Sequence, residues 1–582
     1  MSPTEFQQVI LSSDSASSLL AELTNHLQGV QNLIERTKRF IRIYRDWPLQ
    51  KQGLKSQVAL DLLRTKLLFP NPKYEINFLA LSLECHDLGL IKLLQRTAEL
   101  NVHRALSRNG IGAAFLIAKY HEKPEHDAFM DEQRQIARHF LLTAPENHSD
   151  RHGFTHFHLA CQLGHVDTVQ RFLAGGLVTD VDFETADSTR LHGTPLHLAT
   201  RNRHVEVVRI LLQRGADPRR VDRRGSTPLH ELAKACRCRC PRGAYYCDFR
   251  RPTGPIIDLL LNHGAQLEAR NEQGHTPLAA AGARFDVELT RELLGRKASL
   301  DGLDDAQLFA GGEFSRHELR NYPLALNAID TVHELKRAGY EMSMRSRYLM
   351  TKCLIRVHGR RAGGGEQLAH LIPESCPDGK ICLNVKVYEY LRKELGCYWK
   401  PELEASMREA YEAAERRLAA RNETPPDLDE SLVATLDRHM EHARERKVAE
   451  NLTLADLLRA SPREALGLIK RSKRIERPAT IPALSHSHLL VLLQRHLGEV
   501  LTRKRLEWFA EELYMSKRCV ARLERAKCRR LLEETSDDEL WRFCDAIKEE
   551  TLDEECRCDA CQISARLGGL ELGTASEVMD CV

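Results

Sequence analysis

The sequence predicts an all-α fold in which paired helices stack into a solenoid and a helical C-terminal domain follows. Two observations carry this. Thr-Pro-Leu-His occurs at Thr194 to His197 and again at Thr227 to His230, a spacing of 33 residues, and self-similarity at a fixed period of this size marks a repeat array. Apolar residues three and four apart follow each copy, which puts them on one face of a helix. Stacked helical hairpins present one long surface, so the first expectation is binding rather than a catalytic pocket.

The 582 residues exceed what one core supports, so two or three structural regions are expected. Hydrophobic content of 42% and charged content of 29% are ordinary for a folded soluble chain. Lys and Arg number 85 against 82 Asp and Glu, a net charge of +3, so no global field draws the chain to nucleic acid or to an anionic membrane. The first thirty residues lack the basic start and apolar core of a secretory signal, and no apolar run reaches the roughly 18 residues of a membrane span. The chain is therefore expected in the cytoplasm or the nucleus, with most of its 17 Cys reduced.

Four copies of the unit are readable in order. The first opens at Asp150 and runs through Gly153, Thr155 and His158 to Gly164. The second carries Thr194, Pro195, Leu196 and His197, then Val207, Val208, Leu211, Leu212 and Gly215. The third has Asp222, Gly225, Thr227, Pro228, Leu229 and His230, and resumes at Ile256 to end at Gly264. The fourth has Asn271, Gly274, Thr276, Pro277, Leu278 and Ala279. Pro suits the first helical position, where its missing N–H costs nothing, and Thr before it can cap the helix. Gly164, Gly215 and Gly264 fall where helices end and positive φ is needed.

These motifs resemble the ankyrin repeat over residues 150–303. The resemblance implies an ankyrin-repeat solenoid with short β-hairpin turns, and it implies that His158, His197 and His230 are structural, bonding turn backbone in adjoining units. Upstream, Leu79 to Leu94 and Ala113 to Leu142 read as two degenerate units, so the array is expected over 76–303, behind a helical N-terminal cap over 1–75.

In ankyrin proteins partners contact the hairpin tips and the concave face, so the resemblance marks Arg151, His152, Arg219, Arg220, Arg223, Arg224, Glu272 and Gln273 as candidate partner contacts. Four Arg crowd the tip between the second and third units, and Arg forks suit carboxylates and phosphates. An acidic protein segment is the partner this points to; a solvated charged loop is the alternative.

The third unit is long: Thr227 to Gly264 spans 37 residues where Thr194 to Gly215 spans 21. The insertion holds Cys236, Cys238, Cys240 and Cys247. Four thiolates can bind zinc, although the C-x-C-x-C spacing crowds a tetrahedral site; redox-sensitive thiols and an incidental loop are the alternatives. Cys556, Cys558 and Cys561, with Cys544 as a distant fourth, form a second candidate metal cluster. No other cofactor is expected.

After Asp301 the repeat signature ends. Residues 304–430 read as a helical region with loops, with helices over Leu324 to Leu335, Ser343 to Ile355 and Pro401 to Arg421. Residues 431–582 read as a helical C-terminal domain with helices over Ser431 to Lys447, Thr453 to Ala460 and Pro462 to Lys470. Lys470, Arg471, Lys473 and Arg474 form a basic run readable either as a nuclear import signal or as a solvated helix end.

Near the end, Leu523 precedes Leu531, Leu532, Ser536, Glu539 and Leu540. Together with the array, the segment over 520–547 resembles the PRANC domain of ankyrin proteins from poxviruses, intracellular bacteria and parasitoid wasps, which is similar to a truncated F-box. Glu524, Thr535 and Glu539 depart from that motif. The resemblance implies that Leu523, Leu531, Leu532 and Leu540 form an apolar face for the Skp-type adaptor of a cullin ubiquitin ligase; the alternative is an amphipathic helical hairpin that packs only within its own domain.

The leading functional expectation is a protein–protein interaction module, an ankyrin array that selects a partner, with a C-terminal F-box-like segment that recruits a ubiquitin ligase. The alternative is an ankyrin scaffold or inhibitor with no ubiquitin link. No P-loop, G-x-S-x-G, H-E-x-x-H or kinase signature is present, so no enzyme activity is expected.

Overall fold

The computed structural model describes residues 3–13, 15–45, 47–48, 51–65, 67–68, 79–80, 83, 89, 92, 103, 112–122, 130–185, 192–233, 253–309, 324–357, 378–399, 401–420, 423–449, 452–471, 488–516 and 525–549. These fall into two compact units. One holds the described residues up to 233 together with 254–266 and 271–273; the other holds 253, 267–270 and those from 274 onward. The division falls inside the expected array and leaves the helices of the fourth copy in the second unit. No described helix is long and apolar enough to cross a membrane.

The first unit begins with α1 (Pro3–Ser12), α2 (Ala16–Gln28), α3 (Leu33–Arg45) and α4 (Gln52–Arg64). Ser15 caps α2 by accepting from the Ser18 N–H at 3.2 Å. Leu19, Leu23 and Leu27, spaced by four, are fully buried, α2 packs on α4, and α1 packs on α3. Then come α5 (Ala113–Glu122) and α6 (Met130–Thr143), which pack on each other.

The repeats follow as α7 (His156–Leu163) with α8 (Val166–Ala174), α9 (Pro195–Arg201) with α10 (Val205–Gln213), and α11 (Pro228–Glu231) with α12 (Gly254–Asn262). First helices pack on first helices, α7 on α9 on α11, and second helices on second helices, α8 on α10 on α12. Leu159, Leu196, Leu198, Val208, Leu211, Leu229, Ile257 and Leu260 fill the layer between them without solvent exposure. Burying a side chain of this size contributes about 1.5–3 kcal/mol, which no hairpin alone could secure. Gly164, Gly215 and Gly264 take φ of 70°, 90° and 95°.

The second unit holds the fourth copy as α13 (Pro277–Ala283) and α14 (Val287–Gly295), then α15 (Asp305–Leu308), α16 (Leu324–Arg337), α17 (Met344–Val357), α18 (Asp378–Leu395), α19 (Pro401–Ala419) and α20 (Glu430–Glu445). An antiparallel pair of short strands, β1 (Lys447–Ala449) and β2 (Leu452–Thr453), interrupts the helices with an irregular register. After it come α21 (Leu454–Arg459), α22 (Pro462–Arg471), α23 (His488–Ser516), α24 (Arg525–Glu534) and α25 (Asp537–Ala546).

The 29-residue α23 organises this unit. Its first half contributes Leu489, Leu493 and Val500 to a core with Val385, Leu391, Leu436, Leu454 and Leu457. Its second half contributes Leu506, Phe509 and Leu513 to a core with Cys528, Leu532, Leu540 and Trp541. Buried Arg503 sits between, with Nε 2.9 Å from Glu507 Oε1 and Nη2 2.8 Å from the Thr535 carbonyl, and it also pairs with Asp537. That one side chain ties the α24–α25 turn to α23.

Candidate functional site

Each repeat tip is built by an acidic or amide side chain that folds the backbone over itself. Asp222 Oδ1 accepts from the N–H groups of Arg224 and Ser226 at 2.8 and 2.9 Å, the Gly225 N–H returns to the Asp222 carbonyl at 2.9 Å, and Asp222 N–H donates to the Ser226 carbonyl at 2.9 Å. Asp150 repeats this with His152, Phe154 and Gly153 at 2.9, 2.9 and 3.1 Å. Asn271 accepts from the Gln273 N–H at 3.0 Å. Gly153, Gly225 and Gly274 close the turns with φ of 77°, 67° and 78°.

This geometry explains which side chains face outward. Arg151–His152, Arg223–Arg224 and Glu272–Gln273 occupy the same two positions of three equivalent turns, and all but the half-exposed His152 are exposed. Arg219 and Arg220 lie on the preceding turn, closed by the Arg220 N–H on the Asp217 carbonyl at 3.2 Å. The tips also bond one another. The Asp217 N–H donates to Asp182 Oδ2 at 3.0 Å, and the Glu272 N–H donates to the Arg224 carbonyl at 3.0 Å.

The four Arg of the double turn are not equivalent. Arg219 Nε lies 3.0 Å from Asp217 Oδ1, and this bond holds the Asp217 carboxyl below its ordinary range. Among the described residues Arg220, Arg223 and Arg224 make no ion pair. Between them Val221 is 49% exposed. The surface is thus three unpaired guanidinium groups around an apolar side chain, held on a hydrogen-bonded frame. It can accept carboxylates or phosphates and bury a small apolar contact.

The repeat histidines are spent on structure. Nδ1 of His158, His197 and His230 accepts from the Thr155, Thr194 and Thr227 N–H groups, each at 3.2 Å. Nε2 of His158 reaches the Phe183 carbonyl at 3.3 Å and that of His197 the Ser226 carbonyl at 3.0 Å. A backbone N–H can only donate, so Nδ1 is bare and Nε2 carries the proton. Burial holds His158 at about 3, so it stays neutral. In the fourth copy Ala279 replaces the His, and Thr276 keeps only the forward cap, to the Ala279 N–H at 3.2 Å.

Other candidates from the sequence fare differently. Cys236, Cys238, Cys240, Cys247, Cys556, Cys558, Cys561, Lys473, Arg474 and Leu523 lie outside the described residues. Cys544, a candidate distant metal ligand by sequence, is fully buried with its thiol 3.9 Å from the Leu506 carbonyl, and burial pushes that thiol up. Among the described residues no cluster of His, Cys, Asp or Glu is arranged to hold a metal. The leucines expected to face an adaptor lie against the chain's own core: Leu532 is 5% exposed, Leu540 is fully buried, and Leu531 is partly buried against the same core. Their apolar faces are taken up inside the chain because α24 and α25 close over α23.

Sequence comparison agrees with the geometry. The family described as Ankyrin repeats (3 copies) matches residues 125–222 and 157–240. The human B-cell lymphoma 3 protein is 33% identical over 162 residues, 27% of this chain and 31% of that protein. Its mouse homolog is 27% identical over 225 residues, 36% of this chain and 46% of that protein. The human neurogenic locus notch homolog protein 4 is 39% identical over 107 residues, 18% of this chain and 4% of that protein. The chain therefore contains ankyrin repeats, and it spans less than half of each of these three relatives.

Proposed function

We propose that the array binds an acidic, extended segment of another protein across the double turn from Asp217 to Gly225. The observation that carries this reading is the set of unpaired Arg220, Arg223 and Arg224 around exposed Val221. A frame fixed before binding loses little further freedom when a partner docks, and fork-shaped donors reward carboxylates spaced along a strand. Interleaved Asp217 and Glu272, and a net charge of only +3, argue against a nucleic-acid backbone as the ligand.

The test is affinity capture with the full chain and with an R220A/R223A/R224A variant. These side chains are exposed and make no ion pair or side-chain hydrogen bond among the described residues, so both proteins should melt alike. Proteins held by the wild type and released by the variant, with retention falling as salt rises from 50 to about 300 mM, support the reading. Equal capture by both overturns it.

The finer reading, in which the C-terminal hairpin recruits a Skp-type adaptor, has less support. Leu532 and Leu540 already fill the core beneath α23, so an adaptor would have to open that core to reach them. A scaffold or inhibitor with no ubiquitin link needs no such opening.

A further inference from the structure

In the second unit three helices meet at Trp508. Trp508 and Arg505 lie on α23, Arg347 on α17, and Lys336 in the last turn of α16. The Arg347 guanidinium carbon is 4.4 Å from the indole centroid, Lys336 Nζ 5.4 Å and the Arg505 guanidinium carbon 5.8 Å. A cation over an indole face is attracted to it, but one ring has two faces, and three cations around it repel one another.

Counter-charge is short. Arg347 Nη1 lies 3.3 Å from Glu512 Oε2, and Arg525 shares the same carboxylate at 3.4 Å. Among the described residues neither Lys336 nor Arg505 forms an ion pair, and Arg347 Nε is buried without a hydrogen-bond partner. Burial and then repulsion by Arg505 and Arg347 hold Lys336 below its ordinary value, and burial lowers Arg505. Arg347 and Arg505 are half-buried, and cations left this way destabilise a fold unless an anion joins them.

We propose that Lys336, Arg347 and Arg505 form a phosphate-binding site beside Trp508. Three cations less one shared carboxylate leave about two positive charges, matching the roughly −1.5 to −2 of a phosphate monoester, where a carboxylate would supply only one. Guanidinium forks and an ammonium group also match the several oxygens of a phosphate better than the two of a carboxylate. The site is separate from the repeat tips and does not depend on what they bind. Its phosphate is either free or carried on a protein side chain; both present the same oxygens.

The experiment titrates the full chain with inorganic phosphate and, separately, with a phosphoserine peptide and its unphosphorylated twin. Ionic strength is fixed with chloride, and calorimetry and tryptophan fluorescence are the readouts. Saturable binding of at least one phosphate ligand is expected, weakened tenfold or more in K336Q and in R505Q, with the fluorescence change lost in W508F. The tighter of the two ligands identifies the source. Lys336 is exposed at a helix end, so K336Q remains informative if R505Q fails to fold. No saturable binding of either ligand, or binding unchanged in K336Q, overturns the proposal.

Discussion

His197 in one repeat donates from Nε2 to the Ser226 carbonyl in the next, 3.0 Å away, while its Nδ1 holds the Thr194 N–H at the start of its own helix. One ring therefore fixes a helix N-terminus and the neighbouring tip together. Replacing it by Leu leaves the buried Thr194 N–H unmet, at a cost of about 1–3 kcal/mol, while the Ser226 carbonyl keeps the Asp222 N–H. H197L should lower stability by about 1–3 kcal/mol in urea unfolding, whereas an exposed substitution such as R223A should leave the midpoint unchanged.

Acid should unfold the first unit early. Burial, first among the causes, holds His103 at about 4 and His156 and His158 at about 3, against an ordinary 6.5. His103 and His156 lie 3.2 Å apart and titrate as a pair. The unfolded chain takes up protons near 6.5 while the folded chain refuses them until far lower, so stability is complete above about pH 6.5 and falls as pH drops toward 4. The urea midpoint measured at pH 7.5, 5.5 and 4.5 should fall in that order; a flat profile would show that these rings are not buried.

Two glycines with similar backbone angles should respond differently to alanine. Gly164 and Gly176 have φ of 70° and 67°. A Cβ on Gly164 collides with the His204 ring, whose Nε2 bonds the Gln162 carbonyl at 2.8 Å, whereas nothing lies within 4 Å of one on Gly176. G176A should cost about 1 kcal/mol, the price of left-handed backbone alone. G164A should cost clearly more, because it also displaces the ring.

Within the C-terminal hairpin, Leu540→Ala removes a fully buried side chain from the core around Leu506 and Phe509. A loss of about 2–5 kcal/mol is expected, read by thermal melting of the full chain. Arg503→Ala should cost about 3–5 kcal/mol, because it removes the buried guanidinium from Glu507 and Asp537 and frees the turn at Thr535. A variant with polar residues at Leu531 and Leu532 would therefore confound adaptor loss with unfolding.

Much of this was legible in the sequence where residue chemistry is local. Thr before Pro, His at the third helical position and glycine at the end specify caps and turns within a few residues, and the repeat helices formed there. Ser343 and Thr453 likewise marked helix starts, and Thr453 accepts from the Asp456 N–H at 3.2 Å. Two long helices were not legible. The stretch Asp378–Leu395 carries Ile381, Val385, Val387, Tyr388 and Tyr390, residues that favour strands when read alone. His488–Ser516 packs on neighbours along different sides of its length, so it shows no single apolar stripe. The cation cluster at Trp508 was invisible for a different reason: Lys336 and Arg347 lie on consecutive helices, but Arg505 and Trp508 come from a helix far along the sequence.

The central claim, that the array's tips hold a protein partner, is tested most directly by hydrogen exchange of the full chain with and without a captured partner. Slowed exchange confined to the turns at 217–226 and 271–274 is the expected result. Protection that falls instead on α23 to α25, with the tips unchanged, would contradict it.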